Sequence, residues 1–455
     1  MMVANAITNL VSLLDNIMIS SIGTEALAGV SIVNQFIFMF QIVVFGAVSA
    51  ASIFTAQYVG SGDREGVTNT FRFKMYLNCI CAAICILVFL LCGDGLIQMF
   101  LHEGEDTGNL ELAMAYAKEY LAISVIGLLP FALSQVYAST MRETGNVIVP
   151  MYASIVAVAT NCLGNAILIF GLLGAPALGP VGAAIATVLS RFVELAILAI
   201  YAHTHGKECY YANNCFQTYK IPKDLVTQIM VKGVPIMLNE FFWSLAITMR
   251  SQSYSTRGLD AVAAQTIATT VFSVMSVVYM SVGSAIAIIV GNQLGAGEIE
   301  EAEDTACKMR GFGVAVGATC GALTAALSPV FPILFSASAT VTPIARFMLI
   351  ITGVIMPFAA YCHSAYFTLR TGGKVMVTVL FDAVWMWACV VPLSMILANF
   401  TSMSIYALYT ICMMTEVLKC TLGMILLKKV KWAQKLVGDL PAEAVENLQK
   451  QPIAE

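Results

Sequence analysis

The sequence predicts an all-α integral membrane protein: twelve transmembrane helices, arranged as two pseudo-two-fold-related six-helix bundles around a central cleft. Three observations carry that reading. Of 455 residues, 59% are hydrophobic and 11% charged, where a soluble chain holds about 45–50% apolar and about 25% charged residues. That composition excludes a soluble enzyme. Apolar runs close to the roughly 20 residues that cross a bilayer recur along nearly the whole chain. The first half of the chain also repeats in the second. A membrane barrel would instead alternate over segments of about ten residues, and a secretory signal carries a single short apolar region. The net charge of −4 gives no signal for nucleic acid.

Apolar runs bounded by glycine, proline and charge give first-half spans at about 2–22, 32–59, 73–101, 112–141, 147–172 and 181–203. Gly23, the Gly60-Ser-Gly62 turn, the acidic 102–111 stretch, Arg142-Glu-Thr-Gly145 and the Gly171–Pro180 segment separate them in turn. Second-half spans fall at about 227–256, 261–294, 307–335, 341–369, 375–398 and 403–427. Arg257-Gly258, Gly295-Ala-Gly297, the polar break before Val341, Arg370-Thr-Gly-Gly373 and Asn399-Phe-Thr-Ser402 divide those. The lobes are therefore 1–205 and 227–429, with a cytoplasmic linker at 206–226 and a cytoplasmic polar tail at 430–455.

Cytoplasmic loops are enriched in Lys and Arg. Loops after even-numbered spans, with the tail, hold sixteen of these residues, among them Arg72, Lys74, Arg142, Arg310 and Arg370, whereas the odd loops offer only Arg257. Both termini are thus expected in the cytoplasm, the 102–111 loop outside, and the chain in the plasma membrane. Most of the thirteen cysteines lie in apolar runs, where free Cys packs as a small hydrophobe. Only Cys209 and Cys215 share a polar loop, and without a nearby His/Cys cluster they are not expected to hold zinc. His102, His203, His205 and His363 are too scattered for a metal or haem site.

Sliding residues 20–62 by 235 positions makes eleven of 43 pairs identical, placing Gly23 on Gly258, Ser49 on Ser284, Gly60 on Gly295 and Gly62 on Gly297. A second match, shifted by 228, lays Arg142-Glu-Thr-Gly145 on Arg370-Thr-Gly-Gly373. Six helices are duplicated. Because six is even, both halves enter the membrane in the same direction and their pseudo-two-fold runs along the membrane normal. Pro130 and Pro357 fall at near-equivalent places, where each removes a backbone bond and can kink its helix.

Several motifs in order resemble one known family, the multidrug and toxic compound extrusion (MATE) transporters. They are Asp15-Asn-Ile-Met-Ile with Gly23 and Ala26-Leu-Ala28, Val59-Gly-Ser-Gly62, Arg142-Glu-Thr-Gly145, Asn161-Cys-Leu-Gly-Asn165, Pro235-Ile-Met-Leu-Asn239-Glu240, Val290-Gly-Asn-Gln-Leu-Gly295 and Arg370-Thr-Gly-Gly373 with Asp382. The resemblance covers the chain from residue 1 to about 430. It implies a two-lobed secondary antiporter that exports organic, often cationic, compounds in exchange for protons or sodium ions. It also implies some 20 residues ahead of Met1, and Asn165 stands where some relatives carry an ion-coupling Asp.

A charge at bilayer depth is costly by at least about 2.5–3.5 kcal/mol, so each one is a functional candidate. In span 1, Asn5, Thr8, Asn9, Ser12, Asp15 and Asn16 fall within about 120° of a helix wheel, leaving an apolar opposite side. Asn161 and Asn165, four apart, share a face of span 5. With Asp15, whose family counterpart binds the coupling ion, they form an N-lobe ion-coupling set that could hold sodium, with Asn34 and Thr187 as further members. Glu240, near the middle of span 7, is the ion-coupling candidate of the C-lobe, an isolated carboxylate suited to a proton. Asn239, Trp243 and Asp382 are expected to line the substrate cleft or, for Asp382, to anchor the cytoplasmic end. Aromatic candidates for an adaptable wall are Phe36, Phe40, Tyr137, Tyr279, Tyr361 and Tyr366. Asp15 aligns with Arg250 by the repeat, and Arg191 with Lys419. The last two each have an acid three residues away, Glu194 and Glu416, so an intrahelical pair is expected for both.

No Walker loop and no Ser/His/Asp or paired-carboxylate set is present, so neither ATP-driven transport nor hydrolysis is expected, and no cofactor beyond the coupling ion. Expected partners are small organic cations and the bilayer, with the chain acting as a monomer. The alternatives are a lipid-linked-oligosaccharide flippase, which would favour a strongly cationic cleft, and a membrane-embedded enzyme, which would cluster His or acidic residues at one membrane face. The orientation is checked in intact cells with an impermeant thiol reagent on a cysteine-depleted background. Thr107→Cys is expected to label and Tyr219→Cys not to, and labelling of Tyr219→Cys alone reverses the topology.

Overall fold

With no water in hydrocarbon to satisfy N–H and C=O groups, a spanning chain closes its hydrogen bonds within each segment, and long helices result. A computed structural model describes residues 24–100, 110–174, 176–215, 218, 220–335 and 339–437, so the first expected span, with Asp15, lies outside the described residues. Among the described residues, ten helices are long and apolar enough to cross a membrane. The chain divides into two compact units.

The first unit runs to Ser52 and continues through Thr68–Gln228. It contains most of α1 (Thr24–Ser61), then α2 (Arg64–Phe100), α3 (Leu110–Ser124), α4 (Leu128–Glu143), α5 (Ile148–Phe170), α6 (Pro180–Thr204) and the short α7 (Tyr210–Cys215). A 3-10 turn, Val125–Gly127, separates α3 from α4 directly ahead of Pro130, so the fourth span is interrupted where its proline cannot donate. The 206–226 region is more than a linker. Arg72 donates from Nη2 to Asn214 O (2.6 Å) and from Nε to Cys215 O (2.9 Å), tying down carbonyls at the end of α7. Tyr211 and Cys215 are buried there.

Two of the cations assigned to loops, Arg72 and Lys74, are in fact buried side chains of α2. Lys74 Nζ meets Glu143 Oε2 at 2.6 Å, with Ser139 and Thr140 hydroxyls at 3.4 Å. Both members of the pair are almost fully removed from solvent, so each neutralises a charge that would otherwise be intolerable.

The second unit comprises Ile53–Val67 and residues from Ile229 onward. Its helices are α8 (Lys223–Ser255), α9 (Leu259–Ala296), α10 (Ile299–Ala326), α11 (Phe331–Leu334), α12 (Val341–Thr371), α13 (Val375–Val379), α14 (Val391–Phe400) and α15 (Ile405–Lys429). Two π-helical turns, Leu380–Val384 and Met386–Val390, connect α13 to α14 within one span. Pro235 and Pro357 lie inside α8 and α12, whose helices continue across them. The ninth span ends at Ala326, short of the expected 335, and a turn leads into α11.

The repeat has a conformational basis. Gly62 and Gly297, paired by the 235 shift, cap α1 and α9 with φ of 74° and 88°. Gly145 and Gly373, paired by the 228 shift, have φ of 94° and 74°. Only glycine enters that region without steric cost. Inside the second unit, a Cβ at Gly60 would collide with the Asn292 carbonyl and one at Gly295 with the Gln57 carbonyl. Residues 57 and 292 are themselves repeat partners, so this backbone crossing obeys the pseudo-symmetry.

The first residues of the expected polar tail are packed. Trp432 and Val437 are buried, and the Trp432 carbonyl lies against Gly372. Gln57 Oε1 accepts from Leu436 N (2.6 Å), while its Nε2 donates to Thr371 O and Gln434 O (3.4 Å each).

Glu143→Gln leaves the Lys74 ammonium buried without a counter-charge and is expected to cost about 3–5 kcal/mol. Lys74→Met with Glu143→Leu should recover most of it. Thermal unfolding of purified protein in detergent measures both, and an unchanged midpoint for the single variant rejects the pairing.

Candidate functional site

The second unit gathers ionisable side chains from four spans. Glu240 comes from α8, Tyr366 and Arg370 from the last turns of α12, Asp382 from the first π turn, and Lys419 from α15. Lys419 Nζ donates to Asp382 Oδ1 at 2.7 Å. Arg370 Nη1 stands 3.4 Å from Glu240 Oε1, which also accepts from Tyr366 OH at 3.0 Å. Asn239 links the two pairs, donating from Nδ2 to Asp382 Oδ2 (3.1 Å) and Tyr366 OH (3.3 Å). Its Oδ1 accepts from Ala383 N at 3.1 Å, so the side chain takes up a backbone donor within the π turn.

Aromatic faces complete the cluster. Lys419 lies 5.2 Å from the Phe381 ring centre, and the Arg370 guanidinium 5.7 Å from Tyr366 and 5.5 Å from Phe367. Two acids and two bases cancel in formal charge, which makes the group tolerable away from water.

This geometry corrects several sequence-based expectations. Glu240 is not isolated, because the helix of α12 runs through Thr371 and carries Arg370, assigned to a loop, back to its carboxylate. Asp382 belongs with Glu240 in one network. Lys419 pairs across helices with Asp382 rather than along α15 with Glu416, whereas Arg191 does pair with Glu194, at 3.4 Å. The aromatic wall is dispersed. Tyr137 is buried against Phe71 (5.2 Å between centroids) and hydrogen-bonds His203 at 3.2 Å. Tyr279 is buried beside His363. Trp243 packs on the Met386, Val390 and Val391 cluster, Tyr361 is half-buried near Gly423, and Phe36 contacts Phe89. Composition selected aromatic residues there, but it does not say which of them neighbouring helices cover.

In the first unit the amide cluster does assemble. Asn161 Nδ2 donates to Thr187 Oγ1 (3.1 Å), and Asn165 Nδ2 to Asn161 Oδ1 (3.5 Å). Asn34 accepts from Tyr120 OH at 3.4 Å. Asn34, Asn165 and Thr187 line a cavity of about 290 Å³, with Phe40, Phe131 and Arg191 on its wall. Asp15, the repeat counterpart of Arg250, lies outside the described residues. Among the described residues, no three His, Cys, Asp or Glu side chains come together as metal ligands. Burial pushes the Cys209 thiol up, and at Cys215 burial outweighs the lowering effect of Arg72.

Ten candidate membrane spans among the described residues, with a charge-balanced network inside one unit, describe a polytopic helical membrane protein. The chain is a member of the MatE family, whose model matches residues 1–167 and 235–396. It is 23% identical to a probable multidrug resistance protein NorM of Thermotoga maritima over 98% of this chain and 93% of that one. It is 25% identical to the probable multidrug resistance protein YoeA of Bacillus subtilis, over 85% and 82% respectively. Among solved structures, an outward-facing multidrug resistance MATE transporter of the MOP superfamily matches with TM-score 0.84 at 20% identity, covering 94% and 95% of the two chains. A Vibrio cholerae MATE transporter matches with TM-score 0.82 at 19% identity, covering 94% of each. The family model shows the family, and the likeness to solved structures shows a MATE transporter fold.

Asn239→Leu removes the shared partner of Asp382, Tyr366 and the Ala383 amide and leaves that amide unsatisfied. The expected cost is about 1–3 kcal/mol, read as a lower thermal midpoint. Asn239→Asp, which keeps the acceptor to Ala383 N but sets a carboxylate against Asp382, should also destabilise; a midpoint unchanged in both variants removes Asn239 from its linking role.

Proposed function

We propose that the protein exports small organic compounds across the plasma membrane by alternating access in exchange for protons, with Glu240 as the proton-carrying residue. The supporting observation is the unequal hold on the two acids of the second unit. Asp382 is fixed by Lys419 at 2.7 Å and by Asn239 at 3.1 Å, whereas Glu240 has one long 3.4 Å contact with Arg370 and the Tyr366 hydroxyl. A carboxylate held by a weaker cation contact is the one that a proton discharges first. Protonation cancels the attraction for Arg370 and leaves the network with one uncompensated positive charge. That imbalance supplies an energy difference between two arrangements of the helices, which alternating access requires.

On this reading Asp15 is a second titrating group, and both termini lie in the cytoplasm of a monomer. A sodium reading draws on the first unit, where the Asn161, Asn165 and Thr187 oxygens lie together and Asp15 would add a charged ligand.

Proteoliposomes loaded with a cationic dye and given either a pH gradient or a sodium gradient, each without the other, separate these. Efflux is expected on the pH gradient and should fall at least tenfold in Glu240→Gln, with the protein still monodisperse. Efflux driven by sodium alone and indifferent to Glu240→Gln rejects the proposal and moves the ion site to the Asp15 set.

A further inference from the structure

We propose that residues 431–437 form a latch: docked, this strap fixes the end of α1 to the second unit, and its release frees that end to move. What the release serves rests on the alternating-access reading, whereas the latch itself is a property of the second unit. The helix α1 runs unbroken from Thr24 to Ser61, yet it is divided, with the part up to Ser52 in the first unit and the part from Ile53 in the second. Sharp bends in helices arise at proline, at glycine–serine pairs or at π-bulges. Between Gly46 and Gly60 the chain carries neither glycine nor proline and stays helical. This stretch is stiff, so a change of angle between the units falls on the contacts of the helix end rather than on a hinge within it.

Those contacts are of unequal strength. The crossing with α9 at Gly60 and Gly295 is a close approach of backbones that glycine permits. Beside it, the fully buried Gln57 side chain makes three hydrogen bonds, and two of them go to the strap: Oε1 accepts from Leu436 N at 2.6 Å, and Nε2 donates to Gln434 O at 3.4 Å. The Leu436 side chain packs with Ile53 of α1, Ile236 of α8 and Val375 of α13. Trp432 is buried, with its carbonyl against Gly372 at the end of α12. One segment thus ties α1 to three other elements. The strap itself forms neither helix nor strand, and a segment without a hydrogen-bonded ladder of its own opens at lower cost than the helices it joins. Its departure leaves the Gln57 side chain with one long hydrogen bond, 3.4 Å, to Thr371 O. Among the described residues the repeat makes no second latch. Asn292, the repeat partner of Gln57, lies in the same crossing, but its Oδ1 is buried there without a hydrogen-bond partner. The strap therefore biases one of two arrangements, and the population of the released one is set by how tightly the strap is held.

The test is the rate at which N-ethylmaleimide alkylates Ala56→Cys, a reporter inside the crossing. It is measured on the full chain in lipid nanodiscs without a gradient and read at that position by mass spectrometry. Ala56 is 2% exposed, and a Cβ added at Gly291 would stand 2.8 Å from its own, so the reporter reacts when the end of α1 parts from α9. Gln57→Met removes the clamp from the α1 side, and Trp432→Ala loosens the strap from its own side. Each is expected to speed alkylation of the reporter at least fivefold, while the native Cys412, buried in the apolar core of the same unit, keeps its rate. Val290→Cys, a fully buried position of α9, serves as the reporter if Ala56→Cys lowers the thermal midpoint. A reporter rate unchanged in either variant overturns the proposal. So does a rise shared by Cys412, which marks general loosening of the fold. Dye efflux is scored separately. Gradient-driven efflux with unchanged alkylation sinks the latch alone, and faster alkylation in a protein that moves no dye sinks the transport reading alone.

Discussion

A charge held where water cannot follow must be met by another charge or by several hydrogen bonds, and this requirement arranges both units around their polar interiors. Lys74 has Glu143, Lys419 has Asp382, and Arg370 has Glu240. None of these pairs is formed within one span. Each therefore sets the register of two helices against each other, in a medium where apolar surface alone offers little preference among packings. The same demand reaches the backbone, since the π turn at Asp382 frees an amide from the regular ladder and the Asn239 side chain takes it.

The two units have spent their polar residues differently. The first combines side-chain amides with a single cation beside a cavity, and the second closes four charges on themselves. Arg191 and Lys419 occupy equivalent places in the duplication. Arg191 has its acid one turn ahead on its own helix, whereas Lys419 reaches to another span. The second unit thus sets a loosely held pair, Arg370 with Glu240 at 3.4 Å, beside a tightly held one, Lys419 with Asp382 at 2.7 Å.

Much of this was legible in the sequence because its strongest signals are local. Lengths of apolar runs gave most spans to within a few residues, and the glycine pairs 62/297 and 145/373 marked the duplication because each has φ > 0. The Asn161 and Asn165 face also assembled as helical spacing predicts. What stayed hidden depends on neighbours. Arg370 falls with a loop in the sequence because Gly372 and Gly373 follow it, yet the helix runs two residues past the expected end, through Thr371. The Asp382 π turns leave no mark in an apolar run. Buried Lys74 looks like any loop cation until Glu143, 69 residues away, is brought beside it. The shift that aligned Lys419 with Arg191 did single it out, but not the acid it would find.

The strap formed by residues 431–437 is held by the buried Trp432 and Val437 side chains and also through its main chain: the Leu436 amide, the Gln434 carbonyl and the Trp432 carbonyl make contacts with Gln57 and Gly372. Contacts made by the main chain depend on the length of the strap, and the buried Trp432 and Val437 fix its register. An affinity tag or fluorescent fusion is therefore best joined beyond Val437. A truncation before Trp432 would uncover the end of α12 and release the Gln57 side chain, confounding any comparison of expression or activity among shortened versions of the protein.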